Sequence, residues 1–97
     1  MSPFLDPATI AAFHDDGAVV IRGMFDDWID ELAAGIVRNE AEPSEFFSEN
    51  VRDGEPGRFW DDYCNWQRIP EFERFIRESK VAPIAGEVMQ SEIVQLF

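Results

Sequence analysis

The first stretch of the chain repeats its apolar residues at helical spacing. Asp6-Pro7 can begin a helix, because aspartate is a good N-cap and proline is tolerated at the first helical position. Ile10 and Phe13 then lie three residues apart on one face. Gly17 can end the helix, since glycine adopts the left-handed conformation at no steric cost. The pattern predicts a helix from about residue 7 to residue 16.

A second helix is predicted from Asp26 or Asp27 through about Asn39. Gly35 lowers its stability by about 1 kcal/mol relative to alanine, unless close packing requires a glycine there. Its apolar residues recur every four positions, with Ile29 beside them, and predict one buried face: Trp28, Leu32 and Ile36.

Two more helices are predicted in the C-terminal part. Pro70 can begin the third, with Phe72, Phe75 and Ile76 on one face. Ser79 can cap the fourth. The fourth helix has apolar residues at i, i+3, i+4, i+7 and i+8, namely Val81, Ile84, Ala85, Val88 and Met89.

Two β-branched runs predict strands, at residues 18–22 and 92–97. With about four helices and two to three strands, the fold class is α+β. So few strands need further strands or helix cover to be stable. The run at 92–97 is also apolar and would have a free edge, through which the chain could self-associate. We therefore expect one incomplete domain spanning residues 1–97, with the rest of its sheet missing.

Two segments lie outside these patterns. Residues 40–57 predict a long loop, which is either a lid or a simple connector. Residues 58–70 combine aromatic rings with acids, amides and arginines. That mixture suits either a buried strand or a wall between a core and a small-molecule cavity. Within this run Cys64 is predicted to be a small buried residue.

The charge balance excludes some classes of partner. Twenty acidic residues against eight basic ones give a net charge of −12, which repels nucleic acid and anionic membranes. No run is apolar and long enough to span a bilayer, and no secretory signal is visible. A single cysteine fits a reducing compartment. We expect a cytoplasmic protein with no membrane insertion.

Several kinds of catalytic site are absent from the sequence. One histidine and one cysteine cannot form a zinc cluster, and no His-x-Asp or His-x-Glu pair is present for a non-haem iron site. His14 lies near the end of the first predicted helix, where a histidine is expected to be a surface residue. Adjacent acids such as Asp61-Asp62 do not face each other on a helix or a strand, so they are not expected to form a catalytic dyad.

Two longer runs resemble a known family. The run from Phe13 to Phe25, Phe-His-Asp-Asp-Gly-Ala-Val-Val-Ile-Arg-Gly-Met-Phe, resembles the N-terminal signature of phytanoyl-CoA dioxygenase-like proteins. The run from Asp62 to Phe72, Asp-Tyr-Cys-Asn-Trp-Gln-Arg-Ile-Pro-Glu-Phe, resembles a bacterial subgroup with unassigned substrates. Residues 79–97 fit the same subgroup. These proteins are Fe(II)- and 2-oxoglutarate-dependent oxygenases.

The resemblance implies the N-terminal part of a double-stranded β-helix, a jelly-roll or cupin-like fold. The complete domain would use Fe(II) and 2-oxoglutarate to hydroxylate a small organic substrate. The iron and cosubstrate ligands of the family have no matching positions here, so we expect this chain alone to bind neither and to be inactive. A non-catalytic binding module and a truncated gene product are the alternatives. The resemblance implies five substrate-pocket candidates: Trp60, Tyr63, Asn65, Trp66 and Arg68.

Overall fold

A computed structural model of the chain describes residues 4–96. Its elements are α1 (Pro7–Asp16), a 3-10 turn (Asp26–Trp28) that runs directly into α2 (Ile29–Ala41), β1 (Ser48–Glu49), β2 (Trp60–Asp61), α3 (Pro70–Glu78) and α4 (Val81–Met89). The two strands pair antiparallel, with Ser48 opposite Asp61 and Glu49 opposite Trp60. The predicted α+β class is therefore confirmed.

The first helix begins and ends for the predicted reasons. The Asp6 carboxylate accepts a hydrogen bond from the Thr9 amide at 2.7 Å, which satisfies one of the free N–H groups of the first turn. Gly17 adopts a left-handed conformation with φ of 80°, and its N–H bonds to the Phe13 carbonyl.

The C-terminal helices begin at or near the predicted residues. Pro70 occupies the first turn of α3. The N-cap of α4 is Lys80 and not Ser79 as predicted, although the Ser79 hydroxyl accepts a hydrogen bond from the Val81 N–H at 3.2 Å.

Both predicted strands are wrong. Residues 18–21 are irregular, Arg22 lies in a turn, and the Val20 side chain is 77% exposed. Residues 93–96 are also irregular, and Ile93 is 83% exposed. Phe97 lies outside the described residues. An extended run becomes a strand only when another backbone pairs with it, and within residues 4–96 neither run has such a neighbour.

The strands form instead within and beside the segment predicted as a long loop. The last residues of α2 and all of β1 lie between residues 40 and 57, and β2 follows at the aromatic run. The remainder of residues 58–70 forms turns rather than a buried strand. The intervening turns use Gly54 and Gly57 at positive φ, a conformation that favours glycine.

The α2–α3 contact decides which face of α2 is buried. A Cβ atom on Gly35 would lie 2.5 Å from the Phe72 ring, so the close approach of α3 requires a glycine. Gly35 and Asn39 are buried, whereas Ile36 is exposed. The predicted face was therefore wrong at Ile36. Because α3 contacts α2 closely at Gly35, the face of α2 that carries Gly35 and Asn39 is buried.

The hydrophobic core is small and lies along the helices. Leu5, Ile69 and Ile84 are buried, and Phe75 makes edge-on contacts with Phe25 and Trp28 at 5.3 and 5.6 Å. Edge-on ring pairs of this kind stabilise a fold beyond the area that they bury. No helix among the described residues is long and apolar enough to cross a membrane.

The molecule is elongated, with extents of 49 × 28 × 23 Å. Its radius of gyration is 16.4 Å, whereas a compact domain of this length has about 12.5 Å. Its accessible surface is 7439 Å², against roughly 5,650 Å² for a compact monomer of the same mass. The chain therefore exposes much more surface than a self-contained domain.

Candidate functional site

The most extensive network of buried polar groups in the described chain surrounds the Asp62 side chain, which has no exposed surface. One carboxylate oxygen accepts hydrogen bonds from Asn39 Nδ2 at 2.8 Å and from the Ser44 amide at 3.0 Å. The other accepts the Ser44 hydroxyl. We call Asp62, Asn39, Ser44, Asn65 and Arg68 the Asp62 cluster.

Asn65 and Arg68 complete this cluster from the turn that precedes α3. Asn65 Nδ2 donates to Asn39 Oδ1. Arg68 donates to Asp62 at 3.1 Å and to the Glu42 carbonyl at the end of α2. The cluster thus joins the end of α2, the loop after it and the turn before α3. A buried charge of this kind is tolerated because it is both paired and hydrogen-bonded.

The environment keeps the Asp62 carboxylate ionised. Burial by itself raises the pKa of this group, but the hydrogen bonds from Ser44 and Asn39 and the Arg68 guanidinium outweigh it and lower the pKa below 3.8. A carboxylate with a lowered pKa and occupied acceptors is a poor general base. The cluster therefore holds the chain in position rather than transferring protons.

A second ion pair fastens α3 to α2. Arg38 binds Glu71 with two nitrogens, at 2.8 and 3.0 Å, and the Glu71 side chain is nearly buried. The hydrogen bonds from Arg38 lower the pKa of Glu71 below its ordinary value, and the pKa of Arg38 is raised in turn. A bidentate ion pair of this kind fixes the relative orientation of the two side chains in addition to pairing their charges. Glu71 lies within the run 62–72 that the sequence analysis singled out.

Trp60 and Trp66 occupy different surroundings. Trp60 stacks on Phe47 across the hairpin, with ring centroids 5.2 Å apart. Trp66 lies beneath the Arg77 guanidinium at 5.4 Å, a cation–π contact. Both indoles are partly exposed. Each ring therefore supports a separate local contact.

The five candidate residues lie in different surroundings. Asn65 and Arg68 belong to the Asp62 cluster, Trp60 to the hairpin, and Trp66 to the α3 side. Tyr63 is exposed. An open groove of about 240 Å³ on the surface is lined by none of them, but by Pro70, Glu73, Arg74, Arg77 and Glu78.

Cys64 differs from its prediction. It is exposed, and its φ is 55°. A positive φ is uncommon for a residue with a Cβ atom and marks a tight turn. Here the turn between β2 and α3 directs the side chain outward, so the thiol does not fill the core.

The sequence interpretation missed Asp62, Asn39 and Ser44. Asp62 was considered as half of an adjacent acid pair and as the first residue of the run 62–72, and Asn39 only as the end of a helix. A usable signal existed for Asn39, which lies four residues after Gly35 on the face that packs against α3. Ser44 carried no signal, because its contact with Asp62 spans eighteen residues.

The described residues do not offer a metal site. No group of three histidine, cysteine, aspartate or glutamate side chains converges within residues 4–96. His14 is exposed, and its Nε2 atom lies 3.0 Å from the Val88 carbonyl oxygen. The side chains of residues 4–96 thus do not fit an iron centre of the histidine–carboxylate kind.

Comparison with known proteins identified no relative: no family model, curated protein or solved structure matches this chain.

Proposed function

We propose that this chain is the N-terminal portion of an Fe(II)/2-oxoglutarate-dependent dioxygenase that hydroxylates a small organic substrate. The observation that carries the proposal is the presence of two resembling runs, 13–25 and 62–72, in one chain. The proposed fold of the complete domain is the double-stranded β-helix, of which this chain supplies outer helices and a first hairpin.

The contacts of the second run support the proposal. Asp62, Asn65 and Arg68 all belong to the Asp62 cluster, and Glu71 holds Arg38. These polar residues therefore fix the position of the aromatic run. A binding pocket requires a wall whose side chains are held in place in this way. Trp60, Tyr63 and Trp66 retain exposed ring surface that a further layer of the protein could turn into a pocket.

The shape of the molecule gives further support. The excess surface and the exposed apolar segment at residues 93–96 suit a chain against which a larger sheet packs. A sheet that paired with residues 93–96 would satisfy their backbone N–H and C=O groups. This arrangement would also explain why the run 92–97 has strand-like composition without being a strand here.

The role of this chain's own residues is limited to structure. The side chains that the structure describes do not fit an iron centre, so the metal and 2-oxoglutarate would be held elsewhere in the proposed enzyme. The Asp62 cluster would orient the aromatic run, and the rings of that run would exclude water from the substrate. The chain alone is proposed to be inactive, and its proposed location is the cytoplasm.

A second candidate is a non-catalytic interaction module, or a truncated gene product. The elongated shape and the many exposed apolar side chains favour it, because exposed apolar surface promotes binding to partners.

The deciding experiment is the intact mass of the protein from its source cells, followed by an activity assay. We expect a mass well above 11.1 kDa and succinate formation from 2-oxoglutarate that requires both Fe(II) and a small organic substrate. The same preparation treated with a chelator is the control. A native mass of 11.1 kDa would eliminate the enzyme and leave the interaction module.

A further inference from the structure

Helix α2 carries a second apolar line on the side away from α3. Ile29, Ala33, Ile36 and Val37 follow the i, i+4, i+7, i+8 spacing of one helix face. Ile29, Ile36 and Val37 are 59%, 50% and 68% exposed, and Ala33 is exposed as well. We call these four residues the α2 stripe. The opposite face, with Gly35 and Asn39, is already buried.

The charges of the molecule restrict what can cover the α2 stripe. The ion pairs among the described residues engage five arginines, Arg38, Arg58, Arg68, Arg74 and Arg77, while the chain has 20 acidic residues in all. Asp26 and Asp30 are exposed at the N-terminal end of the stripe and belong to none of these pairs. A second copy would bring another net charge of −12 to the same surface.

We propose that the α2 stripe binds a basic amphipathic helix of a partner protein. Apolar side chains of the partner would cover Ile29, Ile36 and Val37, and its lysines or arginines would face Asp26 and Asp30. Helix pairing through a stripe of this spacing is a common mode of recognition. This inference is independent of the proposed function.

The molecule as a whole exposes more surface than a compact monomer of its mass. The accessible surface of 7439 Å² exceeds that of a compact monomer by roughly 1,800 Å². A stable interface covers about 800 Å² on each partner. The two turns of the stripe would supply the apolar centre of this interface, and the acidic residues would form its polar rim.

The test is a titration of the 97-residue chain with a synthetic helix of about fourteen residues, in which leucine follows i, i+3, i+4 spacing and all other positions are lysine. Amide NMR shifts of α2 locate the binding site. We expect shifts centred on residues 29–37, and weaker binding when NaCl is raised from about 50 to about 300 mM, because salt screens the acids. A peptide of the same composition in scrambled order is the control.

Two matched variants make the test specific. Ile36→Glu removes one apolar residue of the stripe and should weaken binding about tenfold or more. Val20→Glu makes the same charge change at an exposed aliphatic residue outside α2 and should leave binding near that of the wild type. Circular dichroism must show that both variants fold, and Ile36→Gln repeats the measurement if Ile36→Glu does not.

Three results would overturn the proposal. One is equal binding of the scrambled peptide, and another is binding unaffected by Ile36→Glu or absent altogether. The third is a sedimenting dimer that Ile36→Glu dissociates, which would assign the stripe to a second copy. The first two results would leave the oxygenase proposal untouched, because that proposal rests on runs outside α2.

Discussion

At the scale of single residues, the feature that most needs explanation is the buried Asp62 carboxylate. A buried charge is costly unless donors surround it, and this one has a backbone amide, an amide side chain, a hydroxyl and a guanidinium. The donors come from three separate parts of the chain. Asp62 therefore acts as the point at which the end of α2 and the turn before α3 are joined.

Replacement of Asp62 by asparagine should be strongly destabilising. The amide removes the charge and places N–H groups where donors now point, leaving buried donors without acceptors at about 1–3 kcal/mol each. Asp61→Asn is the matched control, since Asp61 binds only the exposed Asn50 side chain among the described contacts. Urea unfolding at neutral pH measures both variants. Equal losses of stability in the two variants would contradict the role given to Asp62.

The stabilisation from Asp62 should disappear in acid. Its pKa lies below the ordinary value of 3.8, so folding favours the ionised form. That contribution is complete above pH 3.8 and is lost as the pH falls through the lower pKa of the folded state. The difference in unfolding free energy between wild type and Asp62→Asn should therefore be constant from pH 7 to about 4 and shrink below that. A difference that persists unchanged down to about pH 2 would show that the pKa is not lowered.

At the scale of elements, two contacts hold the helices and the hairpin in place. The first is the approach of α3 to α2 at Gly35, reinforced by the Arg38–Glu71 pair. The second is the Phe47–Trp60 stack, which joins the residue before β1 to the first residue of β2. Two-stranded sheets are marginal on their own, so this stack matters more than it would in a larger sheet.

Gly35→Ala should destabilise the protein although alanine is the better helix former. The overpacking cost of about 1–3 kcal/mol exceeds the gain of about 1 kcal/mol in helix propensity. In a Phe72→Leu background, where the ring is absent, the same substitution should cost less, although the Glu71 Cβ atom still lies 3.0 Å from the new methyl group. Urea unfolding of the four proteins gives the comparison. A stabilising Gly35→Ala in the wild-type background would mean that α3 does not approach α2 so closely.

Trp60→Leu should open the hairpin locally. The Asn50 N–H donates to the Phe59 carbonyl at 2.6 Å beside the paired strands, so its hydrogen exchange reports opening of the ladder. We expect faster exchange of the Asn50 amide in Trp60→Leu, with little change in the helices. Phe59→Leu alters a neighbouring but exposed ring and serves as the control. If hydrogen exchange of the Asn50 amide is unchanged in Trp60→Leu, the Phe47–Trp60 stack does not stabilise the hairpin.

At the scale of the whole molecule, the shape is the result of a core spread along four helices. Few side chains are fully buried, and apolar residues remain exposed on α2, on the hairpin and at residues 93–96. Exposed apolar surface of this kind marks sites where a protein contacts a partner or a further layer of structure. The α2 stripe proposal uses one part of this exposed surface, whereas the oxygenase proposal rests on the runs 13–25 and 62–72 and takes only support from the shape.

Small-angle scattering tests the shape directly. For a monomer we expect a radius of gyration close to 16.4 Å, well above the value of about 12.5 Å for a compact chain of this length. Sedimentation must confirm a mass of 11.1 kDa in the same sample. A monomer with a radius of gyration near 13 Å would mean that the helices close on each other, and that the exposed residues are covered within the chain.

The sequence by itself determined the features that depend on neighbours along the chain. Asp6, Pro7 and Gly17 bound α1, and Pro70 begins α3, because caps and turns act within a few residues. The four helices and the α+β class followed from the same local signals. The sequence also indicated close packing at Gly35, because a glycine inside a helix is unfavourable unless another element packs closely against it.

Tertiary structure alone decided everything that depends on distant partners. Residues 18–22 and 92–96 have the composition of strands but no described neighbour to pair with, while Ser48–Glu49 and Trp60–Asp61 have one. The buried face of α2 was set by Phe72, and the Asp62 cluster by contacts across as many as 26 residues. A pattern in sequence records how a segment can fold, whereas strand pairing and burial of charge depend on which groups meet in space.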